Sequence, residues 1–461
     1  MKKTILSAAI AATLAAAALV TAAAPAPEPI APPQSPIESD LLNAVVAASN
    51  EMRAVYSSEN DAVKILDALV RFEYSPELRS KLQAVFGSEK PLRLKRVGAA
   101  KGQINYAAVL LPHLYHEQEN DVEWSALNVK IAAGSNGRTL AASGTWPQLK
   151  IRRTASPAGD VATFSDISFS SKMARGADTL WYGVSQTRVG HIVFNEVKLN
   201  AEAHVDSPLT GQQQVAVATA PDLTLRMDDL RGQASLQPHG KLADLGYLFS
   251  IGSIGIGGQK VERLTTNVRV TNIDAEAMVA FRKASESLGV AGRTTDQQSQ
   301  AMIALLKDFS KNQVKQGASI QIDEISGRYH GSTASLKGRL DFDKVVDADF
   351  DNPQELVRKI HGRFEVRLPL PLLMDITRAV ASASAPLVNG KKASEGYIDK
   401  IGNDVNMLAM AQLVGEGYAR VEQGELRISL EFKDGKLTAG SKTIDISGLM
   451  ALAQPQPHAQ P

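Results

Sequence analysis

Three groups of residues in this 461-residue chain have types and spacings that could do chemistry. His113 and His116 lie in HLYHEQEND with Glu117, Glu119 and Asp121 close behind. On a helix, two histidines three apart share a face and could hold a metal ion. Their order matches neither the zincin nor the inverted zincin pattern. The competing reading is a polar loop after Pro112. Asp347, Asp349 and Asp351 stand at the first, third and fifth positions of a possible calcium loop. The sixth position would be Asn352 where such loops need Gly, and the twelfth would be Arg358, whose charge repels the ion. The plainer reading is a solvated turn with a helix starting at Asn352. Gly252, Gly255, Gly257 and Gly258 form a glycine-rich stretch without dinucleotide-fingerprint spacing or a P-loop Lys. A tight turn or bulge between strands suits them better.

Other chemistries are excluded more simply. The absence of Cys removes thiolate zinc sites, Fe–S clusters, Cys nucleophiles and lipoprotein attachment together. The eight His are scattered, and no G-x-S-x-G elbow occurs. Fifty basic residues against 49 acidic ones give no strong positive field, which argues against nucleic acid as a partner. The expectation is a protein that is not an enzyme, with no catalytic, metal-ligating or cofactor-binding residue and no cofactor.

The elements that would position any site follow from the hydrophobic period. An apolar content of 44% is enough for a sizeable core. Leu66, Leu69 and Val70 mark a first helical stripe. Ser75-Pro76-Glu77 reads as a capped helix start, Leu78, Leu82, Val85 and Phe86 follow at helical spacing, and Gly87 ends the helix. From about residue 92 to 271 the period becomes two. Leu127, Val129 and Ile131 alternate with Asn128 and Lys130, and Leu223, Leu225 and Met227 with Thr224 and Arg226. Leu264, Thr266, Val268 and Val270 do the same. Such alternation marks half-buried antiparallel strands. Helices are predicted again over 274–285 and 296–316, the latter with Met302, Leu305, Leu306 and Phe309 in one stripe.

Strands return at Ile320 and Ile322, at Leu336, Leu340 and Phe342, and at Phe364, Val366 and Leu368. Pro369 and Pro371 end the last of these and open a helix bearing Leu373, Ile376 and Val380. A further helix carries Ile398, Ile401, Val405 and Leu408 and stops at Gly415 and Gly417. Leu426, Ile428, Leu430 and Phe432 then lead through Asp434-Gly435 into a closing hairpin.

The N-terminus has the three parts of an export signal: Met1-Lys2-Lys3, an uncharged run from Ile5 to Val20, and the small residues Thr21-Ala22-Ala23-Ala24. Cleavage after Ala22 or Ala23 is the expectation, with a retained inner-membrane anchor as the alternative. Residues 24–38 are a Pro-rich spacer and 451–461 a disordered tail. Between them we expect an N-terminal half, 39–290, and a C-terminal half, 291–450, divided in the polar stretch 286–299. Each half places an amphipathic helix before a run of strands, which hints at two related halves. The predicted class is α+β, a large, mostly antiparallel sheet with amphipathic helices packed on one face.

The C-terminal order of elements has a counterpart. The helix LLKDFSKNQVKQGASIQI is followed by GSTASLKGRLDF, GRFEVRLPLPLLMDI, LVGEGYA and LRISLEFKDGKLTAG. In this order the chain resembles the YdgA-like family of bacterial envelope proteins, a domain of unknown function, and DTLWYGVSQTRVGHIVF is similar to that family's aromatic-glycine strand. The resemblance runs over roughly 85–445. It implies an exported or membrane-anchored protein facing the periplasm and supplies no catalytic residue. The Pro-rich spacer departs from the family, whose members often follow their anchor directly with an aromatic and glycine segment.

Two functions of different classes follow as expectations. One is a non-enzymatic binding or scaffold protein of the periplasm, soluble or tethered to the inner membrane, that recognises envelope proteins or itself through uncovered sheet edges. The other is a periplasmic lipid- or hydrophobe-binding protein with an apolar trough on a curved sheet.

Overall fold

A computed structural model describes residues 39–56, 59–154, 160–197, 223–256, 259–288, 295–384 and 394–444. The stretches expected to be an export signal, a spacer and a tail, together with Gly257, Gly258 and the middle of the 286–299 stretch, lie outside them. The described residues form eight α-helices and eighteen strands in one antiparallel sheet, an α+β fold. The chain divides into two compact units. The first runs to Ser235 and adds Ser250–Val261 and Ser285–Ser299. The second takes Leu236–Phe249, Glu262–Ala284 and the chain from Gln300.

The first unit opens with three helices, α1 (Asp40–Tyr56), α2 (Ala62–Arg71) and α3 (Pro76–Phe86). Local chemistry sets their ends. The Asp61 carboxylate accepts from the amides of Val63 and Lys64 at 2.9 and 3.0 Å, which caps α2. Ser75 caps α3, and Gly87, at φ 65, closes it through its N–H on the Gln83 carbonyl. The strands follow: β1 (Leu92–Ala100), β2 (Gln103–Leu110), β3 (His113–Glu117), β4 (Asn120–Trp124), β5 (Leu127–Gly134), β6 (Thr139–Arg153), β7 (Asp160–Arg175), β8 (Trp181–Val197) and β9 (Leu223–His239). The ladders run β1-β2-β5-β6-β7-β8, and the β3–β4 hairpin pairs β4 with the far end of β6. With 15 to 17 residues each, β6 to β8 extend about 50 Å.

Registers such as Tyr106↔Ile131, Ala108↔Val129 and Ile131↔Ala142 put one apolar face together. That face joins Leu66, Leu78, Leu82 and Val85 from the helices in a continuous buried core. On β8 the aromatic-glycine motif has a steric cause. Gly183 sits at φ 148, and a Cβ there would run into the Lys172 carbonyl of β7.

Next come β10 (Leu242–Ile256), β11 (Gln259–Asp274), α4 (Ala275–Leu288) and α5 (Thr295–Lys315). The second unit continues with β12 (Ser319–Tyr329), β13 (Ser332–Phe342), a 3-10 turn (Asp347–Asp351), α6 (Pro353–Arg358), β14 (Ile360–Pro369), α7 (Leu370–Ser384) and α8 (Glu395–Met410). It closes with β15 (Arg420–Glu422), β16 (Glu425–Lys433), β17 (Lys436–Ala439) and β18 (Lys442–Ile444). Its ladder is β12-β13-β14-β16-β17-β18, with β15 also on β16. Asp434 and Gly435, at φ 52 and 72, make the closing hairpin's type I′ turn.

Candidate functional site

The three groups singled out for chemistry do not converge. HLYHE is β3, an edge of a hairpin and not a polar loop. In a strand, residues three apart face opposite ways. His113 turns inward, its ring 5.4 Å from that of Trp124 and beside the α3 cap at Gly87. Burial, with the nearby His116, pushes its pKa below the ordinary value. His116 turns outward and pairs through Nδ1 with Asp121 at 2.7 Å. Glu117 is buried and structural. Its carboxylate accepts from Ser39 Oγ at 3.1 Å and the Leu41 amide at 3.2 Å, so the sheet reinforces the Ser39 cap of α1.

The aspartates of 347–351 are held by lysines. Lys315 Nζ meets Asp347 at 2.8 Å and Lys359 Nζ meets the buried Asp349 at 2.7 Å. The Lys359 ammonium and the Val346 amide hold the Asp349 carboxyl below the usual carboxylate range. The helix expected from Asn352 is α6, with Asn352 as its cap residue. Gly252 and Gly255 lie within β10 itself. No group of three metal-ligating side chains occurs among the described residues.

The second unit instead presents a sheet with two sharply different faces. Cross-strand registers align Ile320↔Leu340, Ile325↔Leu336, Leu336↔Val366, Val366↔Ile428, Phe364↔Leu430 and Phe432↔Leu437. Every residue in these pairs is apolar and points to one side. A bulge between Ile322 and Ile325 keeps both isoleucines on that side although they are three apart. The opposite side is charged and self-paired. Arg363 reaches Glu431 across the strands at 3.3 Å, Arg339 meets Asp341 at 2.8 Å, and Arg427 meets Glu422 at 3.0 Å. The neighbouring Arg367, with lesser help from other arginines, outweighs burial and holds Glu365 below its ordinary pKa. Such a face is built for water.

The apolar face is not sealed. Leu426 and Ala439 are buried, but Leu336, Leu340, Phe364, Val366, Ile428, Leu430 and Phe432 are only half-buried, and Ile320 and Ile325 are exposed. Helix α7 packs on β13 and β14. It buries Leu372 and Thr377, leaving Met374 and Ile376 exposed, so the expected stripe of Leu373 and Ile376 is rotated from the buried side. Helix α8 packs on α7, close enough that a Cβ on Gly402 would come within 3.1 Å of the Arg378 Cα. The second half of its own stripe is left outward, with Val405 and Leu408 exposed, whereas Ile398 and Ile401 are half-buried. Among the described residues, covering is therefore incomplete at both levels.

The family described as "Bacterial protein of unknown function (DUF945)" matches residues 64–447. The chain belongs to that family. No curated protein and no solved structure matches it. The DUF945 region holds every strand of the two-faced sheet. Among the described residues, no helix is long and apolar enough to cross a membrane.

The face could be read from sequence only strand by strand. Alternation marked Leu336, Phe364 and Leu430 as inward-facing. The register that joins them, and the shortage of helix to cover them, are properties of the assembled unit.

Proposed function

We propose that this DUF945 protein is a non-catalytic binding protein of the cell envelope whose ligand is an acyl chain laid on the apolar face of the second unit. The observation that carries the reading is that face: five strands, β12 to β14, β16 and β17, contribute apolar side chains and glycine to the aligned positions, with Ser332 at the far end of β13 the polar exception, yet most stay half-exposed. A soluble protein gains about 2.5 kcal/mol for each 100 Å² of apolar surface it removes from water. An uncovered face of this kind marks a binding site more often than an ornament of the fold. The charged reverse, already neutralised by its own ion pairs, leaves recognition to the apolar side. Placement in the periplasm rests on the Met1–Ala24 signal pattern, and the same segment would serve as a tether if it is retained.

Titration with the fluorescent fatty acid cis-parinaric acid tests the reading. The native chain is expected to bind saturably, and Phe364→Lys to weaken binding by about tenfold or more. Equal binding by both proteins would refute it.

A second reading, a scaffold for envelope proteins, draws on α8. Its Met407 and Leu408 are 66% and 61% exposed and have no covering element among the described residues. Edge pairing contributes less to that reading. Strand β1 carries Arg93, Lys95 and Arg96 and a bulge before Gly98, devices that discourage strand addition.

A further inference from the structure

We propose that the first unit contains a separate binding site for the end of an unbranched alkyl chain, in a cavity of about 100 Å³ between α1, α3 and the sheet. The walls are Val45, Ala48 and Met52 from α1, Leu82 from α3, and Trp124 and Trp146 from the sheet. Three observations fix the ligand class. First, the lining offers almost nothing polar. The indole N–H of Trp124 donates to the Leu111 carbonyl at 3.0 Å and that of Trp146 to the Ser125 carbonyl at 2.9 Å, so neither is free for a ligand. Second, the cavity follows the helix. Its wall runs from Leu41 through Val45 and Ala48 to Met52, a stripe about 16 Å long, which suits a chain better than a compact ring. Third, the volume is two-thirds of the roughly 150 Å³ of an apolar protein cavity that takes up benzene, so several carbons fit, and beyond the two engaged indoles the Ser49 and Tyr74 hydroxyls are the polar side-chain groups in the lining. Ser49, half-buried in the lining, is where a polar end would leave.

This site uses none of the residues of the second-unit face, and either site can fail alone. Of the three tryptophans, Trp124 and Trp146 line this cavity and Trp181 does not, so contact quenching of the first two reports this cavity. The test is a titration of the full chain with ω-bromoundecanoate, whose bromine quenches indole fluorescence on contact. The background is Trp181→Phe, so that only the two lining tryptophans emit. The expected result is saturable quenching, abolished by Ala48→Leu, which fills the cavity and leaves the melting temperature unchanged or higher. Ser49→Asp, a change at a half-exposed position, is a second variant should the first not fold, and it should weaken quenching by about tenfold. Bromoadamantane carboxylate, a compact ring system, should not quench. Non-saturable quenching, quenching untouched by either variant, or equal quenching by the adamantane compound would overturn the proposal.

Discussion

The ring of Phe364 on β14 lies across the backbone of Gly338, its directly opposed partner on β13. A Cβ at Gly338 would overlap that ring and approach the Arg363 carbonyl to 2.8 Å. Phe169 covers Gly144 on the β6–β7 ladder in the same manner. An aromatic ring laid over a strand glycine restores the packing that the glycine gives up. Phe364→Ala should therefore cost about 2 kcal/mol, below the usual range for a fully buried Phe because the ring is half-exposed. Gly338→Val should destabilise as well, by collision instead of loss. Urea unfolding of both variants checks this, and a neutral Gly338→Val would show that the contact is slack.

Helix α1 is capped by its own Ser39, whose hydroxyl accepts from the Leu42 amide at 3.2 Å, and the sheet reinforces that cap. Glu117 binds both the Ser39 hydroxyl and the Leu41 amide from 76 or more residues away in sequence. Glu117→Ala should cost about 1–2 kcal/mol, since it leaves a buried helix-end amide unpaired. Glu117→Gln, which keeps an acceptor oxygen, should cost less. Urea midpoints of the two variants make the comparison.

Much of the fold was legible because its signals are local. Ser75-Pro76-Glu77 and Gly87 bounded α3, Pro369 ended β14, and Asp434-Gly435 announced the last turn. The period of two marked β5, β9, β11 and β16. What failed was long-range. HLYHE has few strand-forming residues and was expected to be a loop; its pairing with β4, through His113↔Trp124, makes it a strand. Ile325 would fall on the charged side by simple alternation, and only the bulge returns it. His330-Gly331 forms the same left-handed turn as Asp434-Gly435, but with His in the first position it carried no strong sequence signal. The candidate face was hidden for a further reason: which apolar strands a helix covers is decided by packing, not by any one strand.

Asp349 gives a pH prediction. Its folded pKa is depressed by Lys359 Nζ and the Val346 amide. The stabilisation is therefore present above the unfolded value, about 3.9, and is lost as pH falls through the folded value. Asp349→Asn should lower stability at neutral pH and flatten its decline below about pH 4. Thermal melts at pH 7 and at pH 3 read both effects. A parallel decline in the two proteins would contradict the assignment.

Adjacent residues on β16 separate the two faces of the second unit. Leu430 lies on the apolar face opposite Phe364, and Glu431 on the charged face opposite Arg363. With the first-unit cavity filled by Ala48→Leu, Leu430→Lys should abolish the remaining acyl binding, whereas Glu431→Lys should lose its ion pair, about 0.5 kcal/mol at an exposed site, and bind as before. Retained binding in Leu430→Lys would place the ligand elsewhere.

The most direct measurement is native mass spectrometry of the full chain recovered from the membrane and periplasmic fractions of its host. With the first-unit cavity filled by Ala48→Leu, the account predicts a mass excess matching an acyl lipid, kept on adding Glu431→Lys and lost on adding Leu430→Lys. A bare mass in the Ala48→Leu protein, or an excess that survives Leu430→Lys in it, would contradict the account.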